Sequence, residues 1–171
     1  MAVDDTDALY LWHEAPVPGE LPVARVHGYL ICPETGRVLI QDVDGVMGLP
    51  GGRPEPGEAG FAETFIREAR EENQVQVGQV AYLGYQEVIV PGHPPFAQVR
   101  MVGVIEAFGK RMPDPDGAGH TCRRLMVPLA DAADVLGWGE PAAAQAKAAA
   151  RVAQAQWRLP VGSPAAAGYV D

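Results

Sequence analysis

The chain has 171 residues, of which 47% are hydrophobic and 20% charged, a size and balance typical of one globular domain with its own core. Its formal charge of -9 argues against binding a nucleic-acid polymer, because such binding requires a surface rich in lysine and arginine. The acidic start and the lack of a long apolar run predict neither a signal peptide nor a membrane span, so the expected compartment is the cytoplasm.

The first predicted elements are a lead-in and a hairpin. Residues 1–21 are acidic and interrupted by proline, which predicts an irregular lead-in or a short edge element. Apolar and β-branched residues at 23–32 and 37–42 predict two strands. The Pro-Glu-Thr-Gly sequence at 33–36 has the composition of a turn, so the two strands are expected to pair as a hairpin.

The middle of the chain predicts a helix between strands. The segment 45–60 is rich in glycine and proline, and the apolar residues at 61–72 that follow it recur at helical spacing. They predict an amphipathic helix of about three turns. Two β-rich segments come next, at 79–90 and 97–108, and 109–122 reads as a long polar loop.

The last third of the sequence predicts more helix. Residues 127–136 indicate a strand-to-helix unit, the alanine-rich run at 141–157 a strong helix, and 159–171 a mobile tail. Strands before and after a central helix favour an α/β sandwich on a mixed sheet, in a single domain over 1–171. The alternation of strands and helices is too irregular for a doubly wound fold.

The chemistry of the sequence is concentrated in the glycine-rich loop and the helix after it. Glu68, Glu71 and Glu72 lie three and four residues apart, so they share one helix face. Alone, this pattern is usually a solvated helix face. The loop at 51–57 holds three glycines and two prolines, however, which is more than a simple connection needs. Carboxylates beside a shaped backbone form an all-oxygen site suited to Mg²⁺ or Mn²⁺.

Residues 51–75 resemble the Nudix box, a GG-x-x-E-x-G-E loop followed by a helix reading R-E-apolar-x-E-E-x-G-apolar. The resemblance covers under a sixth of the chain. It implies an α/β/α sandwich on a mixed sheet and a hydrolase, dependent on Mg²⁺ or Mn²⁺, that cleaves a diphosphate bond in a nucleoside diphosphate linked to another moiety. The expected partner is thus a small nucleotide-derived substrate. Dimers are common in this family, so a homodimer is left open.

The resemblance also assigns roles to individual residues. Glu68, Glu71 and Glu72 match the metal-binding glutamates, and Gly51 is expected to offer its carbonyl oxygen to the metal. Arg67 is expected to pair with Glu58 and brace the loop against the helix. Glu71, together with Glu68 and Arg67, forms the expected catalytic set. Glu71 is the first choice for the general base, with two carboxylates from later segments, Glu106 and Asp116, as alternatives.

The sequence departs from the family pattern at two places. Eight residues separate Glu58 from Arg67, whereas the family has seven. We expect the extra residue to be absorbed near Gly60, before the helix, because an insertion within a helix would rotate the later glutamates by about 100°. Gln74 stands where the family has glycine, and we expect Asn73 to adopt the left-handed conformation that ends the helix.

Substrate contacts are predicted from strand periodicity. Arg25, His27 and Tyr29 alternate with apolar residues and share one face of the first strand, where they could contact a nucleotide, as could Arg100 on a later strand. A half-exposed sheet produces the same alternation without any function.

Two other interpretations of the chain remain open. One is a catalytically silent module that uses the same fold to bind a nucleotide derivative or a protein partner; such a relative would be expected to have lost one of the three carboxylates. The other is an acidic interaction domain in which 61–72 is an ordinary amphipathic helix, which leaves the loop unexplained.

Overall fold

The protein folds as an α/β/α sandwich around one mixed sheet. The computed structural model describes residues 7–163 and 165–171. In chain order the elements are β1 (Leu9–His13), β2 (Val23–Ile31), β3 (Arg37–Val43), β4 (Val46–Gly48), β5 (Gly51–Gly52), α1 (Phe61–Asn73), β6 (Val75–Ile89), β7 (Phe96–Phe108), β8 (Arg123–Pro128), α2 (Ala132–Leu136), α3 (Gly139–Trp157) and β9 (Gly168–Val170). The strand order is β1-β6-β7-β2-β3-β8-β9, with β4 on β3 and β5 on β2.

The centre of the sheet carries the elements that position the site. β2 runs parallel to β7, and the other strand pairs are antiparallel. The predicted hairpin of β2 and β3 is present, with Ile31 opposite Val38 next to the turn. Nearer the start of β2, the short strand β5 pairs with the same edge of the strand and places Gly51 opposite His27. The glycine pair of the loop is thereby built into the sheet.

The two faces of the sheet bury different helices. Phe65 and Ala69 of α1 are fully buried in a cluster with Val26, Leu30 and Val99. A Cβ at Gly28 would lie 2.5 Å from the Phe65 ring, so glycine is needed there for α1 to approach the sheet. On the opposite face, the buried alanines of α3 pack in a cluster that includes Tyr29, Ile31 and Val102. Since side chains alternate along a strand, Arg25, His27 and Arg100 belong to the face that α3 covers.

The extra residue lies before α1, as expected, but the residue that ends the helix is not the one predicted. It begins at Phe61, after an extended Gly60, so the insertion lies before the first turn. The prediction for Asn73 is wrong, because Gln74 is the residue in the left-handed conformation, with φ 51°. Hydrogen bonds hold Gln74 there: its Nε2 donates to the carbonyl of Glu71 (2.9 Å), and its Oε1 accepts from the backbone N–H of Met112 (3.1 Å).

A short edge strand lies in the predicted lead-in, and the C-terminal segment is more ordered than the sequence predicts. Leu9–His13 of the lead-in forms the edge strand β1, while residues 1–6 and Pro164 lie outside the described residues. The predicted mobile tail is wrong for its last residues, because Gly168–Val170 pairs with β8. The Tyr169 hydroxyl donates to Asp42 at 2.6 Å and fixes that strand further. No helix in the described ranges is both long and apolar enough to cross a membrane.

Candidate active site

The glycine-rich loop is fixed onto α1 through one arginine. Arg67 donates from Nε to Glu58 Oε1 at 2.7 Å and from Nη2 to the carbonyl of Arg53 at 2.9 Å. The expected contact between Glu58 and Arg67 is therefore present despite the extra residue between them. Although burial raises it, hydrogen bonds from Glu55, Thr64 and Arg67 hold the pKa of Glu58 below its usual value. Glu58 is thus a charged anchor for the loop.

The same arginine reaches two of the predicted metal ligands. Its Nη1 lies 2.8 Å from Glu68 Oε1 and 3.1 Å from Glu71 Oε2. The guanidinium group therefore separates two carboxylates that would otherwise repel each other on adjacent turns of α1. Burial raises the pKa of Glu68, and the charges of Glu71 and Asp114 raise it further, against the opposing effect of Arg67.

The third carboxylate joins α1 to the sheet. Glu72 Oε2 accepts hydrogen bonds from the backbone N–H of Gly51 at 2.9 Å and from Gln41 Nε2 at 2.6 Å. Burial raises the pKa of Glu72 to about 7, despite these two hydrogen bonds. The amide of Gln41 also donates to Asn73 Oδ1 at 2.9 Å. This buried residue of β3 therefore holds both Glu72 and the last residue of α1 in place.

The glycine pair is required by close packing at this place. A Cβ at Gly51 would lie 2.1 Å from the carbonyl oxygen of Val26, and the φ of Gly51 is +155°, where other residues are strained. A Cβ at Gly52 would lie 2.1 Å from Glu68 Oε1. Glycine is therefore needed at position 51 for the edge of the sheet to pack as it does, and glycine at position 52 leaves room for the Glu68 carboxylate.

The donor set of this cluster fits a hard divalent cation. Three carboxylates and the backbone of a glycine loop offer only oxygen ligands, the kind that Mg²⁺ and Mn²⁺ prefer. Burial, followed by the charges of neighbouring carboxylates, raises the pKa values of Glu68 and Glu72, and a cation bound beside them would favour their ionised forms. Within the described residues no three acidic, histidine or cysteine side chains are arranged to hold a metal ion, and the three carboxylates are bound by Arg67, Gln41 and Gly51.

Asp114, a carboxylate that was not predicted from the sequence, acts on the charge of this cluster. The charge of Asp114 contributes to the raised pKa of both Glu68 and Glu72. Asp114 Oδ1 also accepts a hydrogen bond from the backbone N–H of Asp116 at 3.0 Å. Glu106 is exposed on β7 and accepts a hydrogen bond from Gln76 at 3.1 Å. Two aspartates in one polar loop look equivalent in the sequence, so nothing there distinguished Asp114.

A cavity of about 680 Å³ lies on the face of the sheet that α3 covers. We call it the arginine cavity, after two of the predicted substrate contacts that line it. Its lining consists of Tyr10, Arg25, His27, Gln86, Gln98, Arg100, Gly137, Trp138 and Pro141. Of these, only Arg25, His27 and Arg100 were predicted from the sequence. Most of the others lie on β1, on β6 and at the start of α3, far from β2 in the chain.

The prediction for Tyr29 is wrong. Its side chain is fully buried beneath α3, and its hydroxyl donates to the buried Gln145 at 3.5 Å. Along β2, exposure falls from Arg25 through His27 to Tyr29, because α3 covers this end of the strand. The polar face that periodicity identified is therefore divided between a cavity and the core.

The charges that line the arginine cavity are positive. Arg100 is 2% exposed, and burial lowers its pKa to about 10, so it stays protonated at neutral pH. Burial, followed by the charges of Arg100 and Arg25, lowers the pKa of His27 to about 3, so the imidazole is neutral. The cavity thus combines two guanidinium groups with a neutral ring and several amides.

A second cavity connects this face with the glycine-rich loop. Its volume is about 530 Å³, and its lining includes Arg53 and Pro54 of the loop. It shares Arg25 and Gln98 with the arginine cavity. The two cavities therefore adjoin at Arg25 and Gln98, one near the start of α3 and the other beside the glycine-rich loop.

Comparison with known proteins identifies the class that this fold and site define. The family model of the NUDIX domain matches residues 22–151, which is most of the chain. The protein therefore belongs to the Nudix family, as the box at 51–75 predicted. No curated protein matches the chain.

Several solved structures share the fold. The pyrophosphohydrolase BsRppH of Bacillus subtilis is 23% identical, with a TM-score of 0.51, over 65% of this chain and 66% of that one. The NUDIX domain of Shewanella oneidensis NrtR, solved with ADP ribose, is 17% identical, with a TM-score of 0.50, over 67% and 78%. The chain thus spans slightly less than two thirds of the Bacillus protein, and at these identities the likeness concerns the fold.

Proposed function

We propose that the protein is a metal-dependent hydrolase that cleaves a diphosphate bond in a nucleoside diphosphate linked to another moiety. The observation that carries the proposal is the arrangement around Arg67, which holds Glu58 of the loop and Glu68 and Glu71 of α1 while Gly51 holds Glu72. An ordinary surface helix would not need one arginine and one glycine to fix four carboxylates.

The residues of the cluster would divide the work as follows. Glu68, Glu71, Glu72 and the carbonyl of Gly51 would hold Mg²⁺ or Mn²⁺. The bound ion would neutralise the diphosphate and lower the pKa of a water molecule. Arg67 would keep the loop and its glycines in place beside α1, through Glu58 and the carbonyl of Arg53.

The general base is proposed among the carboxylates next to the cluster. Glu71 remains the first choice, because its side chain is 25% exposed, compared with 13% for Glu68, and can reach solvent. Asp114 is the alternative that the charges favour over Asp116 and Glu106, since Asp114 acts on both Glu68 and Glu72. A base must lie within hydrogen-bond reach of the attacking water, directly or through another water.

The cavities would bind the nucleoside part of the substrate. A volume of about 680 Å³ lies in the range of nucleotide-sized ligands. Arg25 and Arg53 lie along the second cavity, between the arginine cavity and the box loop, and would guide the phosphates toward α1. Support for a nucleotide ligand also comes from the Shewanella relative, whose structure contains ADP ribose.

The proposal is tested by incubating the protein with Mg²⁺ or Mn²⁺ and a panel of ADP-ribose, sugar nucleotides, dinucleoside polyphosphates and nucleoside triphosphates, with chromatography of the products. Metal-dependent cleavage that Glu71→Gln and Glu72→Gln abolish is the expected result. Glu34→Gln, the same change in the exposed hairpin turn, is the matched control and should keep full activity. No cleavage, together with a nucleotide-induced rise in melting temperature, would instead identify a silent binding module.

A further inference from the structure

Arg100 is a buried cation whose described partners are all neutral. Its Nε donates to Gln145 Oε1 at 2.8 Å and its Nη2 to Gln98 Oε1 at 3.2 Å. Its Nη1 lies 3.4 Å from His27 Nδ1, which can accept because the ring is neutral. Among the described residues no carboxylate forms an ion pair with Arg100. Buried charges in proteins are normally paired, so this one lacks its usual counterion.

The surroundings increase this imbalance of charge. None of the nine residues that line the arginine cavity is acidic, and Arg25 adds a second positive charge at its mouth. The chain as a whole carries a charge of -9, so its composition does not explain why the charged side chains of this cavity are all arginines. The amide network, in which Gln145 Nε2 donates to Gln86 Oε1 at 2.8 Å, fixes the guanidinium against the floor of the cavity.

The position of Arg100 separates it from the diphosphate site. Gly51, His27 and Arg100 lie on three neighbouring strands, β5, β2 and β7, in direct register. Two strand spacings amount to about 10 Å, and Arg100 points to the α3 face whereas the box carboxylates lie on α1. One diphosphate held at Gly51 cannot also neutralise Arg100.

We propose that Arg100 determines specificity for a substrate with a second oxyanion, a phosphate or a carboxylate, that enters the arginine cavity about 10 Å from the diphosphate. The inference rests on the proposed function for the identity of the substrate, but the anion site itself needs no metal. The planar guanidinium would pair with the oxyanion while Gln98 donates its side-chain N–H groups, and Trp138 covers the guanidinium with its ring 5.9 Å away.

The decisive variant supplies the missing counterion internally. Gln98→Glu is isosteric and places a carboxylate oxygen where Gln98 Oε1 already accepts from Arg100. We expect this variant to melt at a higher temperature than the wild type and to bind oxyanions about ten-fold more weakly or not at all. Gln154→Glu makes the same change on an exposed turn near the other end of α3 and should behave as the wild type.

The experiment uses metal-free protein in EDTA, titrated separately with inorganic phosphate, acetate and a neutral nucleoside. The readouts are the melting temperature and the Nε–H resonance of Arg100 in NMR spectra. A saturable shift of that resonance with phosphate or acetate is expected in the wild type, in Gln154→Glu and in Glu72→Gln, and its loss in Gln98→Glu. The anion that binds more tightly shows whether the second oxyanion of the substrate is a phosphate or a carboxylate.

Two outcomes would overturn the inference. One is a resonance that neither anion shifts in the wild type, and the other is an anion-induced shift that Gln98→Glu retains in full. If Gln98→Glu fails to fold, Arg100→Gln replaces it, and retention of the anion-induced rise in melting temperature in that variant contradicts the proposal. Because Glu72→Gln is expected to keep the anion response, failure of hydrolysis and failure of anion binding are distinguishable.

Discussion

The backbone N–H of Gly51 donates a hydrogen bond of 2.9 Å to the carboxylate of Glu72, and this bond joins the edge of the central sheet to the helix that carries the acidic residues. The neighbouring Gly52 approaches Glu68 so closely that no side chain fits between them. The glycines of the loop therefore set the position of the carboxylates as much as the helix does.

Gly52→Ala should impair activity more than stability. The added methyl group would meet only the flexible end of Glu68, which can move away at little cost in folding but then leaves its ligand position. We expect kcat/KM to fall about ten- to a hundred-fold, while the melting temperature changes little. Gly60→Ala, where an added Cβ meets open space, is the control and should change neither quantity. An equal loss in both variants would contradict the account.

Glu72→Gln should stabilise the metal-free protein, but only at higher pH. The pKa of Glu72 is raised to about 7 by burial, so the folded state binds its proton more tightly than the unfolded state does. This contribution to stability is full at pH 4 and is lost as the pH rises through about 7. Glutamine avoids the loss, and we expect a gain of about 1–3 kcal/mol near pH 8 and none near pH 5.

Urea unfolding in EDTA at both pH values measures this effect. The same difference between the two proteins at every pH would mean that Glu72 is not the titrating group. Adding Mg²⁺ to the wild type near pH 8 should recover stability that the variant cannot gain, because a cation favours the ionised carboxylates.

Arg67→Ala should destabilise the protein in the absence of metal. The variant leaves Glu58, Glu68 and Glu71 without their shared cation in a partly buried place. We expect a loss of about 2–4 kcal/mol in the free energy of unfolding. Arg151→Ala removes an exposed partner of Glu14 and should cost at most about 1 kcal/mol. Chemical denaturation compares the two variants, and similar losses would show that the box arginine is not a brace.

Gln74→Ala and Gln74→Gly should differ in stability. Alanine keeps the left-handed φ of 51° but loses the side-chain hydrogen bonds to Glu71 and Met112, so a loss of about 1–2 kcal/mol is expected. Glycine loses the same bonds but relieves the backbone strain, so its net cost should be close to zero. Thermal unfolding ranks the three proteins; a glycine variant less stable than the alanine variant would contradict this explanation.

The sequence predicted those parts of the site that are local in the chain. Helical spacing predicted α1 and the shared face of Glu68, Glu71 and Glu72. The flexibility of Gly60 predicted that the extra residue lies before the helix. The central hairpin and its turn follow in the same way from composition. Such features depend on neighbours within a few residues, which periodicity records.

The parts that were missed depend on contacts between distant segments. The burial of Tyr29 is decided by Gln145 on α3, 116 residues away, and the pairing of the C-terminal segment by β8. Asp114 acts on the charges of Glu68 and Glu72 only because the fold brings its loop near α1, which lies about 40 residues earlier in the chain. Periodicity cannot tell a cavity from the core when both lie on one face of a strand.

The most direct test of the central claim is turnover in ¹⁸O-labelled water with Mg²⁺, using the best substrate of the panel and mass spectrometry of both products. The account predicts one labelled oxygen in a phosphate group of one product, dependence on the metal, and loss of labelling in Glu71→Gln but not in Glu34→Gln. Label outside the phosphate groups, or equal turnover in EDTA, would contradict a metal-dependent attack on phosphorus by the Nudix box.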